Sequence, residues 1–106
     1  PDQIPRAFAQ VWGAYSIEGM DLLQAGEYEV AHGGYDNRPV EQDPHRLVPV
    51  DVLRQMERDG LVGKLHPEFL STTGNSNPLE NSRRMGREMA ARLIEAGVDS
   101  VILTST

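Results

Sequence analysis

The sequence predicts an α/β domain, a three-layer, partial doubly wound sheet of mostly parallel strands with flanking helices. Two observations lead there. The apolar run Val98-Asp-Ser-Val-Ile-Leu103 follows a strong helix signal after almost no loop, as a buried parallel strand does. Upstream, two further strand-like stretches alternate with helix-like ones, giving strand, helix, strand, helix, strand. Two right-handed crossovers would place three parallel strands side by side, with one helix per crossover.

Residues 1–26 read as an N-terminal arm, and residues 27–106 as the α/β domain. In the arm, Phe8, Val11, Trp12 and Tyr15 have roughly helical spacing, which predicts a short amphipathic segment. Residues 28–32 alternate weakly and are a strand candidate, closed by Gly33 and Gly34. Residues 35–46 hold Pro39 and Pro44 and read as a loop. A helix is predicted over 48–60, with Pro49 in its first turn, Asp51 near the positive end of its dipole, and Gly60 just past its end. Residues 65–72 form the next strand candidate. The helix over 78–96 has Asn77 as cap, Pro78 at its first position, and Met85, Met89 and Leu93 repeating every four residues. Glu80–Arg84, Arg84–Glu88 and Glu88–Arg92 are spaced for i,i+4 pairs. Gly97 ends the helix.

Composition narrows the function. The net charge of −6 argues against nucleic acid, because phosphate binding needs a basic surface. There is no cysteine, hence no disulfide framework and no thiolate site. Three scattered histidines do not make a zinc site. No apolar run approaches the roughly 20 residues that span a membrane, and no secretory signal is visible, so the expected setting is cytoplasmic. Pro1 stands where an initiator Met would, so the chain is expected to be part of something longer.

Ligands of open α/β sheets lie beyond the carboxyl ends of the strands. Three polar segments would meet there: His32-Gly-Gly-Tyr-Asp36, Ser71-Thr-Thr-Gly-Asn75 and Thr104-Ser-Thr106. His32 is the side chain suited to proton exchange near neutral pH. Gly33 and Gly34 would let the backbone approach a ligand. Tyr35 and Asp36 could orient His32 or a substrate amine. Thr72, Thr73, Gly74 and Asn75 could present hydroxyls and N–H groups to an anion. The bland reading of these segments is ordinary turn and capping chemistry. His45 and His66 read as surface or structural, and Arg83, Arg84 and Arg87 as part of a solvated helix face. No P-loop or dinucleotide fingerprint occurs.

Longer stretches carry a resemblance. Ala31-His-Gly-Gly-Tyr-Asp36, the run from Asp43 to Arg54, Gly63-Lys-Leu-His66, Ser71-Thr-Thr-Gly-Asn75 and Gly97-Val-Asp-Ser-Val-Ile-Leu-Thr-Ser-Thr106 resemble the selenoprotein B subunit of the glycine, sarcosine and betaine reductases. The chain is similar, more distantly, to the selenoprotein subunit of D-proline reductase. The resemblance implies an oxidoreductase that cleaves a C–N bond reductively, and a fragment that ends just before the selenocysteine or cysteine position. It implies selenocysteine in the continuation, a pyruvoyl group on a partner subunit, a small selenoprotein A as acceptor, and a small amine or carboxylate substrate. No cofactor is expected in this chain itself, no membrane partner is implied, and homo-oligomers are compatible with it. Carried onto this chain, the resemblance makes His32 and Asp36 candidates for proton transfer to the leaving amine. It places Gly33, Gly34, Tyr35, Thr72, Thr73, Gly74 and Asn75 around the substrate. Thr104, Ser105 and Thr106 would position the nucleophile. Because the nucleophile is absent, the chain is expected to be inactive alone. The competing reading is a non-catalytic α/β module that binds an anion or a protein partner.

Overall fold

The computed structural model describes residues 9–74 and 76–105. Its regular elements are strand β1 (Trp12–Ser16), helix α1 (Arg38–Gln42), helix α2 (Val50–Arg58), strand β2 (Glu68–Thr72) and helix α3 (Leu79–Glu95), with a 3₁₀ turn at Pro44–Arg46. The two strands pair antiparallel, Trp12 opposite Thr72 and Ser16 opposite Glu68. Among the described residues, the three-layer, mostly parallel sheet expected from the sequence is therefore not formed.

Val11, Trp12 and Tyr15 satisfy a helical spacing, yet Trp12 and Tyr15 lie within a strand, where an odd separation sends side chains to opposite faces. Phe8, the first residue of that spacing, lies outside the described residues. Residues 28–32 and 98–103 have strand-like composition but belong to no strand. A strand exists only beside a hydrogen-bonding neighbour, and β1 and β2 pair with each other instead.

The pleat divides the ribbon into two faces. On one, Trp12 and Glu68 reach α3: the Trp12 indole N–H donates to Glu88 Oε2 at 2.9 Å, and Arg92 clasps Glu68. On the other, Tyr15 stacks on Phe69 with ring centroids 5.2 Å apart. Gly13 leaves room for the Tyr15 ring here: a Cβ at that position would stand 2.7 Å from the Tyr15 hydroxyl oxygen, and the ring would have to shift. Phe69 packs on the buried cluster of Ile17, Leu23 and Val50, joined by Met20, Tyr28, Val48 and Leu65.

Both longer helices end as their glycines require. Gly60 (φ +73°) and Gly97 (φ +72°) adopt left-handed backbone. Leu61 N–H reaches Met56 O and Gly60 N–H reaches Glu57 O, while Val98 N–H reaches Leu93 O and Gly97 N–H reaches Ile94 O. These are paired Schellman bonds, which satisfy the last carbonyls of each helix. The start of α3 differs from expectation. Pro78 is the N-cap and no side chain caps the helix. Asn77 Oδ1 instead accepts the Ala9 backbone N–H.

Polar side chains do much of the joining. Asn77, Asn81, Arg84 and Glu88 line one stripe at the start and along the first half of α3. Asn81 donates to Ala9 O, Arg84 donates to Gln10 O at 2.7 Å, and Glu88 accepts from Trp12. Arg84 belongs to this clasp and not only to a solvated face. From α2, Arg54 donates to Ile17 O and Met20 O, each at 2.9 Å, and to Glu57 Oε2 at 2.9 Å. Glu57 Oε1 accepts the Leu65 N–H at 2.8 Å. One ion pair thus ties α2 to the chain on both sides of it.

Candidate functional site

The segment 28–37 runs from the core to α1. Tyr28 anchors it: the ring packs on the core cluster and the hydroxyl donates to Met20 Sδ at 3.7 Å. Burial, followed by the nearby Glu27 carboxylate, pushes the Tyr28 hydroxyl pKa up. A tight turn follows, with Tyr35 N–H on His32 O at 3.4 Å and Gly34 at φ +90°. A side chain is rarely found at that φ, which explains a glycine at position 34. The His32 and Tyr35 rings meet edge to face, with centroids 6.0 Å apart.

His32 Nδ1 is buried and has no hydrogen-bond partner in the structure. Asn37 Oδ1, five residues on, is in the same condition. Unpaired buried polar atoms are uncommon in native proteins, and each calls for a partner. Asp36 has found one. Its carboxylate accepts from Arg38 Nε and Nη2, both at 2.8 Å, and from the Arg38 backbone N–H at 3.2 Å. The Arg38 side chain, and then its backbone N–H, hold the Asp36 carboxyl below its ordinary pKa. Asp36 raises the Arg38 guanidinium in return. As arranged, Asp36 is an ionised carboxylate with both oxygens engaged, poorly matched to proton exchange near neutral pH. His32 keeps an unengaged ring nitrogen.

Thr72 is exposed at the end of β2, Thr73 is half-buried, and Gly74 has φ +119°. Thr104 and Ser105 are exposed on backbone with no regular secondary structure. Asn75 and Thr106 lie outside the described residues. The expectation that these segments converge with residues 32–36 rested on three parallel strands ending at one edge. Without that sheet, the topology supplies no such edge.

His45 is structural, as its sequence setting implies. Its Nε2 accepts the Leu23 N–H at 2.8 Å, and its Nδ1 stands 3.3 Å from Asp43 Oδ1. His66 is different, since its Nε2 is buried without a hydrogen-bond partner, and Glu68 Oε2 stands 3.9 Å away. Asn37 and Arg38 are residues that sequence reasoning passed over, and His66 is one that it set aside as surface or structural. The Asp36-Asn-Arg38 spacing was a usable signal for the ion pair; nothing local marks the other two. Among the described residues no group of three or more His, Cys, Asp or Glu side chains could hold a metal ion. None of their helices is long and apolar enough to cross a membrane.

The family model described as glycine/sarcosine/betaine reductase selenoprotein B matches residues 1–106. The chain belongs to this family. It is 46% identical over its whole length to the glycine reductase complex component B subunit gamma of Peptoclostridium litorale. It is 44% identical, again over its whole length, to the sarcosine reductase complex component B subunit beta of Peptoclostridium acidaminophilum. The D-proline reductase subunit gamma of Acetoanaerobium sticklandii is more distant, at 36% over 77 residues, which are 72% of this chain and 32% of that protein. The chain spans 24% of the length of the glycine and sarcosine reductase subunits. No solved structure matches. The resemblance read from the sequence is thus confirmed at family level.

Proposed function

We propose that this chain forms part of the substrate-specific component B of a glycine-, sarcosine- or betaine-type reductase, and that it acts in reductive cleavage of a C–N bond. Family membership over all of residues 1–106 carries this reading. The names of the relatives, each a component of a reductase complex, support partner subunits. The chain has no cysteine, so the nucleophile of this reading is a selenolate or thiolate supplied next to Thr106 in a longer subunit. That group would attack the carbon and release the amine.

The residues present have narrower tasks. Thr104 and Ser105 are exposed, which fits presenting a reactive group. They provide little shelter for an anion, so elements beyond the described residues, among them the pyruvoyl-bearing subunit, would complete its surroundings. His32, whose ring meets Tyr35 edge to face, would exchange a proton with the amine. The Asp36–Arg38 pair would hold the turn that aims His32. Gly33, Gly34 and Tyr35 would shape that turn.

The test is His32→Ala in the full-length subunit, assayed in the assembled complex. General acid–base catalysis contributes about 10²–10⁴-fold, so kcat should fall by at least about 100-fold with assembly intact. Turnover within twofold of the parent would remove His32 from the chemistry.

A further inference from the structure

Residues 98–103 leave α3 at Gly97 and hold no regular structure. The Val98 N–H still returns to Leu93 O, but residues 99–105 form no backbone hydrogen bond with the other described residues. Their apolar side chains are as open as their backbone. Val101 is 57% exposed, Ile102 63% and Leu103 90%. Successive side chains of an extended chain point to opposite faces, so exposure at three consecutive positions leaves both faces unburied. Both edges and both faces of one apolar stretch are open at once.

That combination narrows what covers it. Val98, Val101 and Ile102 are β-branched, which favours a strand, and Gly97 has already closed the helix. A strand apolar on both faces needs a neighbour at each edge and a layer over each face. Neither β1 nor β2 pairs with it. A second copy does not supply enough, because two such segments paired about a twofold axis make a two-stranded ribbon, marginal in water, with its faces still bare. The glycine and sarcosine reductase subunits match this chain over its whole length, yet the chain spans only 24% of each. A polypeptide of that length has the further strands and layers to offer. Covalently linked segments also avoid the entropic cost of bringing two molecules together.

We propose that in the longer subunit residues 98–103 form an inner strand, paired on both edges with strands from subunit residues outside 1–106. This rests on the reading that the chain is part of such a subunit, and not on the chemistry assigned to it. Its consequence for that chemistry is positional: Thr104 and Ser105 would stand at the end of a fixed strand.

The test is amide hydrogen exchange, resolved to single residues by fragmentation mass spectrometry, on the full-length subunit and on the 106-residue chain. In the 106-residue chain the amides of residues 99–103 should exchange at free-peptide rates. In the full-length subunit all five should slow by at least about 100-fold, as amides of a buried element do. Protection at consecutive positions is the diagnostic, because successive N–H groups of a strand point to opposite edges. A single neighbour would slow only every second amide, and that pattern would overturn the inner-strand assignment. Free exchange in both proteins would overturn the proposal outright. Protection of the 106-residue chain that rises with its concentration would assign the segment to a second copy instead. Protection of the full-length subunit that appears only when another subunit of the complex is added would assign it to that subunit. Turnover is not read, so a protected but inactive full-length subunit would count against the catalytic reading alone.

Discussion

Arg54 offers the sharpest test of how this fold is held. Its guanidinium is only 15% exposed and makes three hydrogen bonds. Two of them end on the carbonyls of Ile17 and Met20, which frame the turn leading from β1 to the core. Hydrogen bonds involving a charged group are each worth about 1.5–3 kcal/mol. The three share one side chain and do not add in full, so Arg54→Met should cost about 2–4 kcal/mol. For a domain of this size that is a large share of a total of roughly 5–15 kcal/mol, and corresponds to a Tm drop of about 10–20 °C. Arg54→Lys is the informative companion. Lysine keeps the charge but lacks the planar fork, and one ammonium would not reach both carbonyls and Glu57 in this geometry. It should retain less than half of the lost stability. Urea unfolding followed by far-UV circular dichroism reads both changes, with the slope unchanged if the unfolded state is unaffected. An Arg54→Met midpoint indistinguishable from the parent, or an Arg54→Lys variant as stable as the parent, would refute the assignment of Arg54 as the staple.

Further outcomes follow from the same geometry. Glu57 has its carboxyl pKa lowered, first by the Leu65 N–H and then by Arg54. Its contribution should be complete above the unfolded carboxylate value of about 4.3 and lost as pH falls through the lower folded value; Glu57→Gln should flatten that acid limb in urea midpoints measured from pH 7 to 3. Trp12 is the leading cause of the lowered Glu88 pKa, ahead of Arg84, so Trp12→Phe should move the Glu88 carboxyl back toward its ordinary value in an NMR titration. Gly13→Ala would press its methyl on the Tyr15 ring and break the Tyr15–Phe69 stack, at a cost of about 1–3 kcal/mol and with a weakened near-UV signal; an unchanged spectrum would show that the ring does not lie over Gly13.

The sequence and the structure agree where structure is local. The α2 and α3 helices were legible because apolar spacing and a closing glycine act within a few residues. Gly60 and Gly97 stop their helices whatever lies nearby. Arg84–Glu88 formed as an i,i+4 pair at 2.8 Å. Arg92, spaced for Glu88, turned to Glu68 instead, because β2 brought a carboxylate within reach. The candidate site followed the same division. The glycine turn after His32 was readable, whereas the ring nitrogens left unpaired at His32 and His66 depend on what surrounds each imidazole.

By itself, the sequence determined the family, the two longer helices and the chemical character of the loop at 32–36. Each is encoded in contiguous residues whose propensities and motifs need no distant partner. Only the tertiary structure decided which strand-like segments became strands. Residues 98–103 are more apolar than Trp12–Ser16, yet Leu103 is 90% exposed and the pairing went to Trp12–Ser16 and Glu68–Thr72. A helix satisfies its backbone hydrogen bonds within itself, but a strand needs a neighbour, here one lying more than fifty residues away along the chain.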